Sequence, residues 1–405
     1  MSNCRACNAG IDPFMSFGEM PIANGFLNEP EFSEEYFFEM EVAFCSTCNT
    51  FQLINQPEPE RMFHEDYAFF TRTSGAMVAH FATFSDWLKS NYLTGDDPFA
   101  VELGSNDGAM LENLAKAGIR HLGVEPSANV AAEAEKHGVK SLVAFFGSKT
   151  AQDILNEHGP ADTISAANVM CHIPAMNDIG RAADILLKDT GVLIFEDPYL
   201  GDVIEKTSYD QIYDEHVFLF SAHSVESIFG PHGFELIDLL PQKTHGGSMR
   251  YVLGRKGQYP INASVSAILA KELSLGLTDA ATFDRFRENC ERSRVMLVRI
   301  LNDLKAEGKR VAGYAATSKS TTVLNYCDIG PDLIEFISDT TPIKQGKFSP
   351  GKHIPVVPYD DFKSNYPDYA VLFAWNHEVE IMANEKAFMD YGGRWVVFVP
   401  EPAIR

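Results

Sequence analysis

The feature that most constrains the fold is an alternation of apolar runs with amphipathic stretches, which begins near residue 97. The runs PFAVELG and HLGVEPS each precede a helical pattern, over residues 109–117 and 130–137. Later apolar runs at residues 163–168, 192–196 and 249–253 predict further strands, of which the last closes the sheet. Because this alternation is typical of a doubly wound parallel sheet, the sequence predicts an α/β fold.

A second pattern of the same kind occupies the end of the chain. Residues 262–305 have a long helical periodicity, and a strand, loop and helix then follow at VAGYAATSKS, with later strands in LIEFISD, YAVLFAW and WVVFVP. A chain of 405 residues with 45% apolar content is too long for one ordinary core. We therefore predict an N-terminal unit (1–73), a central α/β unit (74–254), and a helical connection leading into a Rossmann-like unit (255–405).

Four of the seven cysteines form two pairs in the N-terminal unit. Cys4 and Cys7 make one C-x-x-C knuckle, and Cys45 and Cys48 make a second. Two knuckles can place four thiolates at about 2.3 Å from one Zn²⁺, in a closed tetrahedral site that is structural rather than catalytic. Four free thiols are the alternative, and the remaining scattered cysteines do not suggest a disulfide framework.

The charge and the apolar pattern limit the partners. A formal net charge of -23 would repel a phosphodiester backbone, so we do not expect nucleic acid to bind. The start MSNCRACNAG lacks an apolar signal region, and no apolar run reaches the roughly 18 to 20 residues that span a bilayer. We expect a cytoplasmic protein without a membrane segment.

The loop ELGSNDG joins the first strand of the central unit to its helix, where a nucleotide-binding fold brings its backbone close to a ligand. Its G-x-x-x-G spacing differs from the dinucleotide fingerprint G-x-G-x-x-G, which weakens the case for a nicotinamide enzyme. An acidic residue at the end of the next strand can accept both ribose hydroxyls. A Rossmann-like core without a cofactor remains the alternative. The cofactor candidates are Glu102, Gly104, Asn106, Asp107, Gly108 and Glu125.

The segment DQIYDEHVFLFS carries a phenol, a carboxylate and an imidazole close together, at Tyr213, Glu215 and His216. Only the imidazole has an ordinary pKa near 6.5, so His216 is the best candidate for a base at neutral pH. His172 follows another predicted strand and can reach the same crevice, because ligands collect at the carboxyl ends of such strands. A solvated loop, and for His172 a core histidine, are the alternatives.

Two further loops suggest a substrate site. The stretch HGGSMR offers small residues for close approach, with His245, Gly247, Ser248 and Arg250 as candidates; a plain glycine turn is the alternative. The stretch GYAATSKS joins a strand to a helix. The N-terminus of that helix, together with a lysine, could hold a phosphate, although the stretch is not a Walker A loop. A structural turn is again the alternative. Its candidates are Tyr314, Thr317, Ser318 and Lys319.

Taken together and in order, the two knuckles, ELGSNDG, GVEPS, ANVMCHI, IYDEH, HGGSMR, GYAATSKS and DTTPIKQGKFSPGKHIPV make the chain resemble a known family. It is similar, over nearly its whole length, to the bacterial sugar C-methyltransferases that build branched deoxysugars. The resemblance implies a class I methyltransferase domain between a zinc-binding domain and a Rossmann-like substrate domain. It also implies S-adenosylmethionine as methyl donor, and as substrate a dTDP-linked 4-keto-deoxysugar methylated at C3.

Residue roles follow from the same resemblance. Gly104, Gly108 and Glu125 would hold S-adenosylmethionine, with Phe146 and Asn168 nearby. His216 would be the base, with Tyr213, Glu215 and His172 around the sugar, and Tyr67 would approach from the N-terminal domain. We expect a monomer or a small homo-oligomer. A nucleotide-sugar dehydrogenase or epimerase, and a non-enzymatic zinc-dependent protein that binds sugar nucleotides, are the rival interpretations.

Overall fold

The N-terminal unit is built on a small antiparallel sheet. The computed structural model describes residues 2–62 and 70–405. The elements of this unit are β1 (Ser2–Asn3), β2 (Gly10–Ile11), β3 (Pro13–Pro21), β4 (Phe37–Cys45), β5 (Thr50–Leu53) and α1 (Pro59–Met62). Strands β1 and β2 pair with each other, and β3, β4 and β5 form an antiparallel meander. The second cysteine knuckle lies in the turn between β4 and β5.

The central unit alternates helices and strands. Its elements are α2 (Gly75–Asn91), β6 (Phe99–Leu103), α3 (Leu111–Lys116), β7 (Arg120–Val124), α4 (Ala128–Lys136), β8 (Ser141–Leu142), α5 (Ser148–His158), β9 (Ala161–Ala167), α6 (Met176–Leu186), β10 (Leu187–Pro198), α7 (Leu200–Lys206), β11 (Phe218–Leu219), α8 (Ala222–Phe229), β12 (Phe234–Gln242) and β13 (Ser248–Arg255).

The central sheet has seven strands in the order β12, β13, β10, β9, β6, β7, β8. Strands β8, β7, β6, β9 and β10 are parallel, whereas β13 runs antiparallel to both of its neighbours. All five residues of β6 are buried, as expected for a strand covered by helices on both faces. The α/β fold predicted from the sequence is confirmed. However, β13 does not close the sheet, because β12 lies outside it at the edge.

The rest of the chain forms two long helices and a second sheet. Its elements are α9 (Ala263–Leu275), α10 (Ala280–Ala306), β14 (Val311–Tyr314), α11 (Ser318–Tyr326), β15 (Ile337–Asp339), β16 (Val356–Pro358), α12 (Tyr359–Ser364), β17 (Tyr369–Leu372), α13 (Glu378–Asn384), α14 (Lys386–Asp390), β18 (Arg394–Val397) and β19 (Ala403–Ile404). The strand order is β16, β15, β14, β17, β18, β19, with only β19 antiparallel.

One short strand of the central unit belongs to the N-terminal sheet. Strand β11 pairs with β5, so that Phe218 lies opposite Gln52, and the amide of Leu53 donates to the carbonyl of Val217. This pairing could not be predicted from the sequence, since a strand of two residues has no detectable periodicity. It fixes the segment that follows His216 onto the N-terminal unit. Within the described ranges, every helix is too short or too polar to cross a bilayer.

Candidate active site

The four knuckle cysteines meet at one point. Sγ of Cys4 lies 3.5 Å from Sγ of Cys48, and Sγ of Cys7 lies 3.5 Å from Sγ of Cys45. All four sulfur atoms lie within 4.8 Å of one another. A tetrahedron with Zn–S bonds of about 2.3 Å has edges of about 3.8 Å, so the thiols fit one zinc ion with small adjustments.

Each knuckle closes with the same backbone turn. The residue after the second cysteine of each pair, Asn8 and Asn49, has a positive φ, of 61° and 57°. Asparagine adopts this left-handed conformation more readily than other residues with a Cβ. Nε2 of the Gln52 side chain donates a hydrogen bond of 3.1 Å to Sγ of Cys4, which favours the thiolate form of that sulfur.

The glycine loop after β6 is a tight turn whose shape depends on its neighbours. Gly104 and Gly108 have φ values of 59° and 74°, in the left-handed region. A Cβ on Gly104 would come within 2.4 Å of the side chain of Val169, and one on Gly108 within 2.8 Å of Val139. These glycines are therefore required by the turn and by packing. The sequence predicts a different reason for them, namely that a side chain would occupy the space of a ligand.

The carboxylate of Glu125 lies against this loop. Its Oε2 accepts from the amide of Asn106 at 2.9 Å, and its Oε1 accepts from the amide of Ser127 at 2.9 Å. Burial raises the pKa of Glu125, and the two amide donors oppose that shift. The carboxylate thus joins the end of β7 to the turn after β6, at the carboxyl edge of the sheet.

Two more buried carboxyls flank the turn. Burial raises the pKa of Glu102 well above its ordinary value, and the nearby charges of Glu125 and Asp107 raise it further. In the described part of the chain, Oε2 of Glu102 and Oδ1 of Asp107 have no hydrogen-bond partner. Asp107 also accepts from the amide of Arg72 at 2.8 Å. A cationic ligand with hydroxyl donors would stabilise these oxygens, so the residues fit S-adenosylmethionine.

The remaining cofactor candidates lie on neighbouring loops. Asn168 follows β9 with a φ of 56°, and its amide donates to the carbonyl of Glu196 at 2.7 Å. Phe146 is half-buried and packs against the central core in the segment before α5. The side chain of Asn106 is directed to the segment before α2, where its Oδ1 accepts from the backbone amide of Thr71 at 3.0 Å.

His216 and Tyr213 form a hydrogen-bonded pair with a defined proton arrangement. Nδ1 of His216 lies 2.7 Å from the carbonyl oxygen of Gln211, which can only accept, so Nδ1 carries the proton. Nε2 therefore keeps its lone pair and accepts from the hydroxyl of Tyr213 at 2.7 Å. Burial, with a smaller contribution from His172, lowers the pKa of His216 well below its ordinary value. The imidazole is thus neutral at pH 7.

His172 lies beside this pair, as the sequence predicted. Its ring is nearly parallel to the ring of His216, with 5.3 Å between the centroids. Burial lowers the pKa of His172 to about 4. Cys171, His172 and His216 each place a side-chain ligand atom within 4.8 Å of the others. The carboxyl ends of β9 and β10 and the segment before β11 thus converge.

Glu215 points to the N-terminal unit. Its Oε1 accepts a hydrogen bond of 2.7 Å from Nδ2 of Asn24, and Oδ1 of Asn24 accepts one of 3.0 Å from the hydroxyl of Ser318. Burial raises the pKa of Glu215 to about 7, although the Asn24 amide and the charge of Lys344 both act to lower it. In this cluster it is therefore the carboxyl, and not the imidazole, that titrates near neutrality.

A cation from the C-terminal unit reaches the loop between β12 and β13. Nζ of Lys319 lies 3.4 Å from the carbonyl oxygen of His245 and 5.6 Å from the ring of Trp375. Lys319 is only 8% exposed, and burial lowers its pKa while the charge of Asp210 raises it. Among the described residues, Nε2 of His245 and Oδ1 of Asp210 are buried and have no hydrogen-bond partner.

The glycines beside His245 are shaped by contacts with two units. A Cβ on Gly246 would meet the ring of Trp375 at 2.3 Å, and one on Gly247 would meet the carboxylate of Asp202 at 2.1 Å. Ser248 is buried, and its hydroxyl donates to the carbonyl of Thr244 at 3.0 Å. The loop is therefore a close junction between the central and C-terminal units, and not only a turn.

Two candidates for substrate contact lie in packed networks instead. The guanidinium of Arg250 pairs with buried Glu196 and stacks on the rings of Phe84 and Trp87. The hydroxyl of Tyr314 donates to Glu385 at 2.7 Å. These contacts favour structural roles, and the predicted substrate contacts of both residues have no support from the geometry. Thr317 caps α11 by accepting from the amide of Ser320, and Tyr67 lies outside the described residues.

Comparison with known proteins identifies the family. Three family models match the chain, described as "Putative zinc binding domain" over residues 4–63, "Methyltransferase domain" over residues 90–239 and "C-methyltransferase C-terminal domain" over residues 243–400. C-methyltransferase NovU of Streptomyces niveus is 33% identical over 409 residues, which cover 100% of this chain and 97% of NovU. The chain belongs to the C-methyltransferase family. This C-methyltransferase is S-adenosylmethionine-dependent and carries a zinc-binding unit.

The chain is also similar to solved structures over about half of its length. Magnesium protoporphyrin IX methyltransferase of Synechocystis, with bound SAH, gives a TM-score of 0.34 at 19% identity over 44% of this chain and 83% of its own. The PH0226 protein of Pyrococcus horikoshii gives 0.38 at 16% identity over 50% and 100%.

Sequence reasoning missed four residues that the structure places at the candidate site: Asn24, Asp210, Lys344 and Trp375. Trp375 is the last residue of the predicted strand YAVLFAW, so the rule that ligands collect at strand ends could have found it. Lys344 lies within the stretch that carried the resemblance. No sequence signal marked Asn24, because its contact with Glu215 spans 191 positions of the chain.

Proposed function

We propose that this C-methyltransferase methylates carbon 3 of a 4-keto-deoxysugar linked to a nucleoside diphosphate, most simply dTDP. The observation that carries the proposal is the His216 and Tyr213 pair, which presents an unprotonated nitrogen in the crevice that Lys319 also reaches. A neutral base and a buried cation in one crevice suit a substrate with an acidic C–H bond and a phosphate.

The three units take separate tasks in this proposal. Residues 1–73 bind zinc through Cys4, Cys7, Cys45 and Cys48, residues 74–254 bind the methyl donor, and residues 255–405 bind the nucleotide. Glu125 would accept the ribose hydroxyls, while the buried carboxyls of the glycine loop would face the cationic side of the donor. When bound, S-adenosylmethionine supplies an electrophilic methyl group on a sulfonium.

The residues around the sugar act through proton transfer and position. A ketone at C4 acidifies the C–H bond at C3, and Nε2 of His216 removes that proton to leave an enolate. The Nδ1–H group of His216 continues to donate its hydrogen bond to the carbonyl of Gln211, and this bond keeps the ring oriented. The hydroxyl of Tyr213 leaves Nε2 when substrate enters and becomes a donor for the sugar. The residues of the cofactor site would hold the methyl donor next to carbon 3 of the enolate. The methyl group would pass to that carbon, and the sulfonium would leave as a neutral thioether.

The nucleotide is held at the start of α11. Lys319 lies in the first turn of this helix, whose amides and dipole favour an anion. Its ammonium is buried and adjoins Asp210, so a diphosphate would gain a desolvated charge contact there. Trp375 adds an aromatic face beside the same ammonium. These contacts support a site for the substrate between the central and C-terminal units.

The decisive experiment replaces His216 with Asn, which keeps polarity and removes the base. We expect turnover of a dTDP-4-keto-deoxysugar to fall about 100-fold to 10,000-fold, with binding of both ligands retained. His158→Asn, at the partly exposed end of α5, is the matched control. With S-adenosylhomocysteine and substrate in D₂O, the wild type should exchange deuterium into C3 and His216→Asn should not. Exchange and methylation at wild-type rates in that variant would assign the base to another residue, with His172 and Tyr213 the next candidates.

A further inference from the structure

The zinc-binding unit touches the candidate active site through the loop that follows β3. The amide of Ala23 donates to Oδ1 of Asp214 at 3.1 Å, and the carbonyl of Ala23 accepts from the hydroxyl of Thr321 at 2.9 Å. Ala23 is buried. This loop is therefore hydrogen-bonded to both the central unit and the C-terminal unit. It lies between the segment that carries His216 and helix α11.

Asn24, the next residue, uses both ends of its side-chain amide in this junction. The carboxylate of Glu215 accepts only, so the amide nitrogen of Asn24 must face it, and the amide oxygen then faces the hydroxyl of Ser318. A single hydrogen-bonded chain runs from Ser318 through Asn24 to Glu215. It connects the start of α11, where the nucleotide is expected, to the residue next to His216.

The segment that carries Glu215 is fixed on its other side by the same unit. Immediately after His216, the carbonyl of Val217 accepts from the amide of Leu53, and β11 then pairs with β5. Residues 214–219 are thus held by the zinc-binding unit at both ends. The unit therefore helps to determine where these side chains lie.

We propose that Asn24 is a positioning residue of the C-methyltransferase, which holds the Glu215 carboxylate in its orientation and through it supports proton removal by His216. The inference rests on the proposed function of Glu215 and His216. Glu215 directly precedes His216 in the chain, and its ionised form would favour the positive charge that His216 gains when it takes the proton. Asn24 itself need not touch the substrate.

The charge on Glu215 is where the effect of Asn24 should appear. The groups that act on this carboxylate are Asp214 on its own segment, Cys171 from the central sheet and Lys344 from the C-terminal unit. Of its neighbours, Asn24 donates a neutral hydrogen bond that favours the ionised form. Loss of that donor raises the pKa of Glu215, so ionisation then requires a higher pH.

The first test is kinetic. In Asn24→Ala we expect the acidic limb of the kcat profile to move up by about one pH unit, which lowers turnover at pH 7 roughly fivefold and restores it near pH 9. The isosteric Asn24→Asp should move it further, because a carboxylate then faces a carboxylate. Thr321→Val removes the other tether of the loop without touching Glu215, and should leave the pH profile in place. Equal profiles for all three variants and the wild type would overturn the proposal.

The second test needs no substrate. Glu215 has a folded-state pKa above its ordinary value, so its ionisation costs stability, and Asn24 offsets part of that cost only once the carboxylate is charged. The Tm difference between wild type and Asn24→Ala should therefore widen as the pH rises through about 7, and stay constant with pH in a Glu215→Gln background. A constant difference in both backgrounds would refute the inference. If the sugar nucleotide is not methylated by the wild type, the proposed function fails, while this measurement still decides whether Asn24 favours the ionised form of Glu215.

Discussion

The indole Nε1 of Trp375 donates a hydrogen bond to Oδ2 of Asp210 across 2.6 Å. It joins the C-terminal unit to the central unit directly beside the Lys319 ammonium. Burial raises the pKa of Asp210 to about 6, while Lys319 and Trp375 favour its ionised form. The pair therefore fixes a buried cation between two units, where a phosphate could meet it.

Lys319→Ala should weaken binding of the nucleotide sugar alone. Loss of a charged hydrogen bond costs about 1.5 to 3 kcal/mol, so we expect KM for the sugar nucleotide to rise about tenfold or more. The Kd for S-adenosylmethionine, measured by titration calorimetry, should stay nearly unchanged. The exposed Lys309→Ala is the control. Equal losses for both ligands would indicate a folding defect, and an unchanged KM would move the phosphate elsewhere.

Zinc should be bound at one ion per chain and should stabilise the fold. The double variant Cys45→Ser and Cys48→Ser removes half of the four thiols that lie within 4.8 Å of one another. We expect elemental analysis to find no zinc in it and the Tm to fall, because a structural zinc site contributes folding free energy. Cys290→Ala, a buried cysteine of α10, should retain the metal. Zinc retained in the double variant would contradict the site.

Glu125→Ala should weaken the binding of S-adenosylmethionine by about 1.5 to 3 kcal/mol, which is the range for the loss of hydrogen bonds to a charged group. Part of the loss would come from the loop, because the carboxylate also accepts from the amides of Asn106 and Ser127. Glu125→Gln keeps one acceptor oxygen and should lose less. Glu133→Ala, on the outer face of α4, is the control, and NAD should not bind any of these proteins. Wild-type affinity in Glu125→Ala would place the ribose elsewhere.

The pH dependence of turnover should follow Glu215 and not His216. The pKa of His216 is already far below neutrality, so the imidazole stays unprotonated and gives no inflection near 6.5. The pKa of Glu215 is raised to about 7, and its ionised form supports the base, so kcat should rise as the pH increases through about 7. Glu215→Gln should remove this limb and lower the plateau. A limb that persists in Glu215→Gln would belong to another group.

Arg250→Ala should destabilise the central unit. Its guanidinium is nearly buried, pairs with Glu196 and lies 3.8 Å from the centre of the Phe84 ring. Among the described residues, His80 then remains the hydrogen-bond partner of the buried Glu196 carboxylate, and breaking a buried ion pair costs about 3 to 5 kcal/mol. Urea unfolding should show this loss. Exposed Arg299→Ala should be neutral. Full stability with a raised KM for the sugar nucleotide would restore the substrate role predicted from the sequence.

Local sequence patterns predicted much of the fold. The alternation of apolar runs and helices predicted the α/β class, since a strand buried on both faces must be apolar throughout. The knuckle spacing predicted a cluster of four thiols, because two cysteines with two residues between them on a turn can bind the same metal ion. The helical stretch at residues 262–305 is present as α9 and α10. In LIEFISD, however, only Ile337–Asp339 forms a strand.

The sequence by itself determined which residue types meet at the strand ends, and hence the class of chemistry. Only the tertiary structure decided their state. Burial lowered the pKa of His216 and raised that of Glu215, which reverses the order expected from the free side chains. Packing also placed Arg250 in an ion pair and brought Asn24 to Glu215. The reason is physical: desolvation and long-range hydrogen bonds depend on neighbours that are distant in the chain, and no local pattern encodes them.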